Sequence, residues 1–569
     1  MTVDAWSNTC TNDKNDERIR GTASRCEELL KQMEQRHLRV ESDKMISFEP
    51  YERVLWMYGR IRHPAEHLLA HVMNLLEKHP DKFVVVSDDT LTAAWNHVLK
   101  AFHLSNQPNE VLQLWQRMDD RNVKSNSTTM EVMLKTLSHT RHPDDPILAE
   151  QVLRNMDECE RKTAHYEAVV VTWSRSLKSG AGAKAQALLE ELEQLYDNAD
   201  GRRRRELIPT VSIYNAAITA HGRRRNEAPA HYILHRMMER AQNDPDCPLP
   251  NSTTFDAFLD GLSRQRSKTA AAKAEEMLTF MEKTDFAKPN KRSYTTVMTA
   301  IIRSGDLHAP ERAMRIYERM LESCEQEADA LTYGVLLDMW AKSRRSNAGV
   351  MADQILQKMK ISGLNPNVVS YNNAILAHAR SKNAGAFTRA EALLRGMQEL
   401  SMEGDKSIKP NTVSYTNVIQ ALKRSAVENK AVAATTLFQE MLNEHANGNT
   451  DVQPNVITVN SVLTACAFTK GDDETRKRAI QIALNIFSKM EQHAIVPNSN
   501  SFRTLLEAIG RQVSDMTERN KMAEIAFRRC QREGLVDASV VETLRTFLPE
   551  LYDTLSTSAD TTHSGNAQQ

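Results

Sequence analysis

Nine basic side chains of this chain fall in one register: Arg60, Arg175, Arg223, Arg264, Arg303, Lys342, Arg380, Arg424 and Arg511. Each stands eight residues beyond the same point of a recurring segment, in nine of twelve copies. With 73 lysines and arginines among 569 residues, an arbitrary site would be basic about one time in eight, so the register is not compositional. Cations repeated at a fixed step form a stripe, and a stripe can follow a polyanion whose own charges are evenly spaced, each contact releasing counterions. A competing account is that lysine and arginine suit the last turn of a helix, where the dipole favours cations. That account explains a basic residue near a helix end but not its strong preference for one place.

The other chemistry-bearing residues point to no reaction. His63, His67 and His71 stand at i, i+4 and i+8 and could share a helix face, but no cysteine or carboxylate set completes them as metal ligands and Pro64 follows the first. They read as a surface histidine stripe, and neither a metal nor any other cofactor is expected. The seven cysteines (Cys10, Cys26, Cys159, Cys247, Cys324, Cys466 and Cys530) are scattered without a C-x-x-C, as expected of free thiols rather than a disulfide framework or zinc site. The sequence holds no G-x-x-x-x-G-K-[ST], no G-x-S-x-G and no H-E-x-x-H, so no catalytic residue is assigned and the chain reads as a non-enzyme.

The elements that must position the basic stripe are written three times between Asn367 and Asn498: NVVSYNNAILAHAR from Asn367, NTVSYTNVIQALKR from Asn411 and NVITVNSVLTACAF from Asn455. Each copy is followed by a second run closing on methionine, RAEALLRGM at 389–397, AATTLFQEM at 433–441 and IALNIFSKM at 482–490. Tyr371, Ala374, Ile375 and His378 fall at i, i+3, i+4 and i+7, and Ala390, Leu393, Leu394 and Met397 repeat that pattern. Both halves are therefore amphipathic helices, and the methionines belong to the core. Pro-Asn or a close variant stands at the junctions, where proline stops one helix and asparagine caps the next. A unit that repeats must stack to bury its apolar face, which makes the chain an all-α protein, an α-solenoid of helical hairpins.

Twelve units are expected over 48–537: 48–91, 92–126, 127–162, 163–210, 211–251, 252–290, 291–329, 330–367, 368–411, 412–455, 456–498 and 499–537. Residues 1–47 read as a partial repeat whose second helix contains Arg25 to Met33, with Ala5-Trp6-Ser7 as the end of a first helix. The chain is thus expected to begin inside a repeat. Residues 538–552 read as a capping helix and 553–569 as a disordered polar tail. Gly201-Arg202-Arg203-Arg204-Arg205-Glu206 reads as a solvated loop, with a nuclear-localisation or RNA-contacting patch as the alternative. Charged residues make up 26% and hydrophobic ones 41%, and no apolar run of about 18 residues could span a bilayer, so a soluble chain with no membrane partner is expected. The formal net charge of −1 gives no global pull toward nucleic acid, which leaves placement to do it. Asp4, Asp13, Asp16 and Glu17 argue against an organelle transit peptide in the visible N-terminus.

Val368-Val369-Ser370-Tyr371-Asn372 and Leu437-Phe438-Gln439-Glu440-Met441 resemble the consensus of the pentatricopeptide repeat family, V-V-T-Y-N in the first helix and A-x-x-L-F-x-x-M in the second. The resemblance covers about 48 to 537 and is strongest from 330 onward; the tetratricopeptide signature W-x-x-L-G-x-x-Y is absent. It implies a right-handed superhelix that binds single-stranded RNA, one base per repeat, and no small-molecule substrate. By resemblance the base is read by the fifth residue of a repeat together with the last. That gives Asn96 with Asn126, Asn215 with Asn251, Asn372 with Asn411 and Asn460 with Asn498 as pyrimidine-favouring pairs, Thr295 with Asp329 as a guanine pair and Thr416 with Asn455 as an adenine pair. Bases are held between apolar residues at the second position, here Leu331, Val369, Val413 and Ile457. The basic register is where the phosphate backbone would lie.

The other six units depart from the pattern: Glu52 with Leu91, Glu131 with Lys162, Glu167 with Thr210, Asp256 with Asn290, Gly334 with Asn367 and Arg503 with Asp537. Acidic fifth positions in units one, three and four, with Glu49, Ala93, Thr128 and Ala164 at the second position of units one to four, make the C-terminal half the expected reader of bases. Units five to twelve imply 5′-pyrimidine, any, G, any, pyrimidine, A, pyrimidine, any-3′. The resemblance further implies an adaptor in mitochondrial or plastid RNA processing, stability or translation, with possible protein partners in that processing. The alternative of a different class is a helical scaffold whose concave face holds a protein partner, which the near-neutral charge and acidic early units favour.

Overall fold

In the computed structural model the residues described are 16–39, 47–60, 65–78, 86–323, 328–381, 383 and 385–555; the expected helix end at Ala5-Trp6-Ser7, the tail from 556, His63, Cys10 and Cys324 lie outside them. Among the described residues every regular element is a helix, and none is long and apolar enough to cross a membrane. The protein is an all-α solenoid. It divides into two compact units, Met1–Pro289 and Asn290–Gln569.

In the first unit α1 (Asp16–Arg39) is followed by pairs: α2 (Glu49–Arg60) with α3 (Glu66–Lys78), α4 (Asp88–Leu104) with α5 (Pro108–Asp120), α6 (Ser127–His139) with α7 (Asp145–Asn155), α8 (Thr163–Arg175) with α9 (Ala181–Asp197), then the short α10 (Gly201–Glu206), α11 (Val211–Gly222) with α12 (Glu227–Asn243), and α13 (Ser252–Ser263) with α14 (Lys268–Lys283). In the second unit the pairs are α15 (Lys291–Arg303) with α16 (Ala309–Ser323), α17 (Ala330–Ser343) with α18 (Ala348–Ile361), α19 (Val368–Arg380) with α20 (Ala386–Met402), α21 (Thr412–Leu422) with α22 (Lys430–Ala446), α23 (Val456–Ala467) with α24 (Asp473–Ser488), and α25 (Ser499–Gln512) with α26 (Met516–Arg532), before α27 (Ala538–Phe547).

Register along the solenoid is held in most repeats by an aromatic at the same position of the first helix. Tyr51, Trp95, Tyr166, Tyr214, Phe255, Tyr294, Tyr415 and Phe502, each at the fourth position of its repeat, are among the largest fully buried side chains. Burying one such ring contributes about 2 kcal/mol. Four of these tyrosine hydroxyls donate to a glutamate of a second helix: Tyr51 to Glu34 at 2.5 Å, Tyr166 to Glu191 at 2.8 Å, Tyr214 to Glu193 at 2.5 Å and Tyr415 to Glu444 at 2.5 Å. The second helices close on the expected methionines, with Met397, Met441 and Met490 buried.

Three local readings are corrected. The four-arginine run is not a loop but the helix α10; Arg203 donates to the Glu158 carbonyl at 2.7 Å, and Arg204 pairs with Asp244 at 2.7 Å while lying 4.6 Å from the Tyr196 ring centre. The helix containing Arg25 runs the whole of Asp16–Arg39. The capping segment 538–552 is two helical pieces, because Pro549 opens the second and disfavours helical backbone at Leu548, which sits at φ −140° and ψ 50°.

Candidate nucleic-acid interface

Every first helix from α13 onward opens on an asparagine or aspartate whose side chain accepts from the backbone N–H three residues on. The last residue of each repeat is therefore the N-cap of the next first helix, which satisfies one of the orphan donors there. The cap consumes only Oδ1. Thr254, Ser293, Ser414, Thr458 and Ser501 return the bond to the cap residue's own N–H, closing reciprocal boxes.

The cap atom is also where the fifth residue arrives. Asn96 Nδ2 donates to Asn126 Oδ1 at 3.0 Å, Asn372 Nδ2 to Asn411 Oδ1 at 3.2 Å and Asn460 Nδ2 to Asn498 Oδ1 at 3.4 Å. Asn215 reaches Asn251 through Thr253, with steps of 3.0 and 2.6 Å. Thr416 shares a hydroxyl contact of 2.8 Å with Thr458, the box partner of Asn455. Thr295 instead donates to the Lys291 carbonyl at 2.9 Å, and Asp329 caps Thr332 at 2.9 Å. Burial pushes the Asp329 carboxyl up, but the Thr332 N–H and hydroxyl outweigh it and hold the group below the usual range. The fold thus joins four of the six candidate reading pairs, three directly and one through a bridge, and brings Thr416 to the box of its partner.

The candidate base-holding residues face solvent. Leu331 is 65% exposed, Val369 57%, Val413 50% and Ile457 56%, although they belong to helices most of whose other apolar residues are buried. Four large apolar side chains left open at one repeat position form a series that helix packing does not require. The corresponding early residues are Glu49, Ala93, Thr128 and Ala164.

The basic register shows a role the sequence did not reveal. Arg175 donates to the Ser138 carbonyl, Arg223 to Ser174 at 2.9 Å, Arg380 to Ala341 at 3.2 Å and Arg424 to Arg380 at 2.7 Å. In each case the acceptor is an orphan carbonyl ending the first helix of the preceding repeat, so these arginines clamp neighbouring repeats. Arg264 pairs with Asp260 at 2.8 Å and Lys342 with Asp338 at 2.6 Å. Arg511 pairs with Glu507 at 2.9 Å between the rings of Phe468 and Phe547. Arg303 is exposed and has no hydrogen bond or ion pair among the described residues. The side chain of Arg60 lies outside them. Of the histidine stripe, His67 bonds Glu27 at 3.1 Å and His71 bonds Glu34 at 2.8 Å, and no group of three metal-ligating residues occurs among the described residues.

These features meet in the second unit around a cavity of about 450 Å³. Arg344, Arg380, Lys423 and Arg424 supply its charge, while Ile457, Asn460 and Asn498 supply an apolar face and an amide pair. Asn460 is buried, and its Oδ1 has no partner among the described residues. An acceptor left open in a cavity is what an incoming donor would meet. Burial holds the Arg380 guanidinium below its ordinary range, with Arg344 adding repulsion. In the first unit a cavity of about 600 Å³ has Arg141, Arg175, Lys178 and Arg223 in its wall. Burial depresses Arg223 likewise, with Arg264, Arg175 and Arg141 repelling it. Cations held against one another in this way gain when an anion enters. Reading the register alone missed Arg344 and Lys423; the basic doublets Arg344-Arg345 and Lys423-Arg424 are the signal that could have found them.

Comparison with known proteins agrees with the repeat. The model of the pentatricopeptide repeat domain matches residues 325–380 and 442–512, and the PPR repeat model matches 93–123. No curated protein sequence matches the chain. Among solved structures, the pentatricopeptide repeat protein PPR10 from maize is similar at 16% identity and a TM-score of 0.36, over 96% of this chain and 83% of that one. PPR10 in complex with an 18-nt psaJ RNA element gives 17% and 0.31, over 90% and 85%. Yeast Rmd9p in complex with a 16-nt target RNA gives 13% and 0.36, over 87% and 97%.

Proposed function

We propose, from the premise that the chain belongs to the pentatricopeptide repeat family, that it is a sequence-specific single-stranded RNA-binding adaptor without catalytic activity. In this reading it acts in RNA processing, stability or translation in a mitochondrion or plastid. The observation that carries the proposal is the 450 Å³ cavity, where three kinds of group needed to hold a nucleotide converge: cations for phosphate, an exposed aliphatic side chain for the base face, and an amide pair for the base edge. An RNA base offers donors and acceptors on its Watson–Crick edge, and Asn460 and Asn498 can meet both.

The best-defined test is Thr416→Asn. In the Asn372 repeat the fifth-position amide donates to the cap and accepts from Ser414 at 2.6 Å. The Thr416 repeat offers the same partners, Asn455 and Thr458. The substitution should build the pyrimidine-type pair and shift preference at that nucleotide from adenine to pyrimidine in competition binding with RNAs differing only there. Unchanged preference would overturn the assignment of reading residues.

A protein-binding scaffold is favoured by a different observation in the first unit. A groove of about 750 Å³ between α12 and α14 is lined by Leu234, Met238, Phe255, Phe258, Met277 and Phe280, the last 40% exposed. It involves second helices, so it can coexist with RNA on the first-helix layer.

A further inference from the structure

In five repeats the residue two places beyond the basic register takes the left-handed backbone conformation: Asn106 at φ 58°, Arg225 at 57°, Arg266 at 55°, Gly305 at 71° and Arg344 at 56°. Glycine reaches that region without steric penalty and asparagine with a small one, whereas a long side chain sets its Cβ against a carbonyl. Yet three of these five turns carry arginine. Packing does not call for it, because the side chains of Arg225, Arg266 and Arg344 are all exposed and make no hydrogen bond, ion pair or ring contact among the described residues. Their immediate neighbours differ: Arg224 donates to the Lys178 carbonyl, and Arg345 pairs with Glu311 and donates to the Leu307 carbonyl at 2.6 Å. At these two turns the strained position holds the unengaged charge and the adjacent arginine the engaged one.

Arg344 shows what such a charge can reach. It stands in the wall of the 450 Å³ cavity beside Arg380 and Arg424, and also in that of a second cavity of about 650 Å³ that includes Lys342 and Arg424. Four arginines of the basic register already spend a guanidinium N–H on a carbonyl of the preceding repeat, whereas the left-handed arginines have all their donors open.

We propose that Arg225, Arg266 and Arg344 form a second row of phosphate contacts, two residues beyond the first, that engages the backbone of single-stranded RNA. The proposal rests on the RNA-binding reading above. Backbone strain is retained at these turns because the side chain there serves the ligand rather than the fold.

The test is the full chain carrying Arg225→Gly, Arg266→Gly and Arg344→Gly together, titrated with labelled single-stranded RNA of the expected pattern across a salt series and melted thermally. Three lost contacts should lower the slope of log affinity against log salt by about two and weaken binding at low salt about tenfold or more. The melting temperature should stay level or rise, since glycine is at ease in this conformation. A merely structural role would lower melting and leave the slope alone. An unchanged slope and affinity in the triple variant, with the unmodified protein binding in a salt-dependent way, would overturn the second row and leave the RNA reading standing. Absence of salt-dependent binding by the unmodified protein would remove both.

Discussion

From Asn251 onward the last residue of each repeat serves the fold with one side-chain atom and leaves a second polar atom outside the cap. Asn455 Oδ1 accepts from the Thr458 N–H at 3.0 Å, and Asp329 does the same for Thr332 at 2.9 Å. The cap needs only an acceptor, so amide and carboxylate are interchangeable for it while presenting different second atoms. Asn455→Asp should therefore leave unfolding free energy within about 0.5 kcal/mol, yet move its repeat from adenine to guanine type in the binding competition; a melting loss without a base switch would contradict this division. The basic register divides in a similar way. Arg424→Met, which removes the clamp on the Arg380 carbonyl, should cost about 1 kcal/mol in denaturant unfolding as well as RNA affinity, whereas Arg303→Met should lower affinity alone. The register itself was legible in the letters, and so was the meeting of four candidate reading pairs at the helix caps. The clamp was not, because its acceptor is a main-chain carbonyl of another repeat and any residue type can supply it.

At the scale of elements, close approach sets how neighbouring first helices pack at α11 and α13. A Cβ on Gly261 of α13 would meet Gly222 Cα of α11 at 2.8 Å, and one on Gly222 would meet Gly261 Cα at 2.9 Å. Backbone cannot yield as a side chain can. Gly261→Ala should thus destabilise by about 2 kcal/mol in thermal or urea unfolding, despite alanine's better helix propensity. Gly396→Ala in α20, where nothing lies within 4 Å, should stabilise by about 0.5 to 1 kcal/mol; equal effects at the two sites would contradict the packing account. Helix pairs and caps were readable where period and punctuation agree, as at Pro366-Asn367, Pro410-Asn411, Pro454-Asn455 and Pro497-Asn498, and less so at Leu91, where the helix starts at Asp88. The insertions were less so. Lys406–Ile408 and Thr450–Val452 are short 3-10 turns that bury Ile408 and Val452, a tertiary anchor that no local period announces. The arginine run became α10 because Asp244 and Tyr196 receive it, partners distant in sequence.

Over the whole molecule the formal charge is −1, so attraction for a polyanion depends on segregation and not on excess. Each compact unit keeps a basic cavity at the ends of its first helices, while several acids of the second helices are spent on first-helix tyrosines and second-helix arginines, as Glu193 is on Tyr214 and Arg236, each at 2.5 Å. The early and late repeats also differ in what they offer. Glu131 pairs with Lys135, and Glu167 accepts from Thr210 at 2.8 Å, so with Glu52 they put acids at three of the first four fifth positions, whereas Asn215, Thr295, Asn372, Thr416 and Asn460 put amides and hydroxyls at five of the later eight. Base selection is accordingly expected from the later repeats, with the earlier ones adding charge. The most direct measurement is selection of the purified chain against a randomised single-stranded RNA pool, sequenced after enrichment and repeated at two salt concentrations. Enrichment of a G and an A separated by two nucleotides, within a pyrimidine-rich frame and with retention falling steeply at the higher salt, is the predicted result. A pool retained without any base enrichment, or not retained at either salt, would contradict sequence-specific RNA binding as this protein's function.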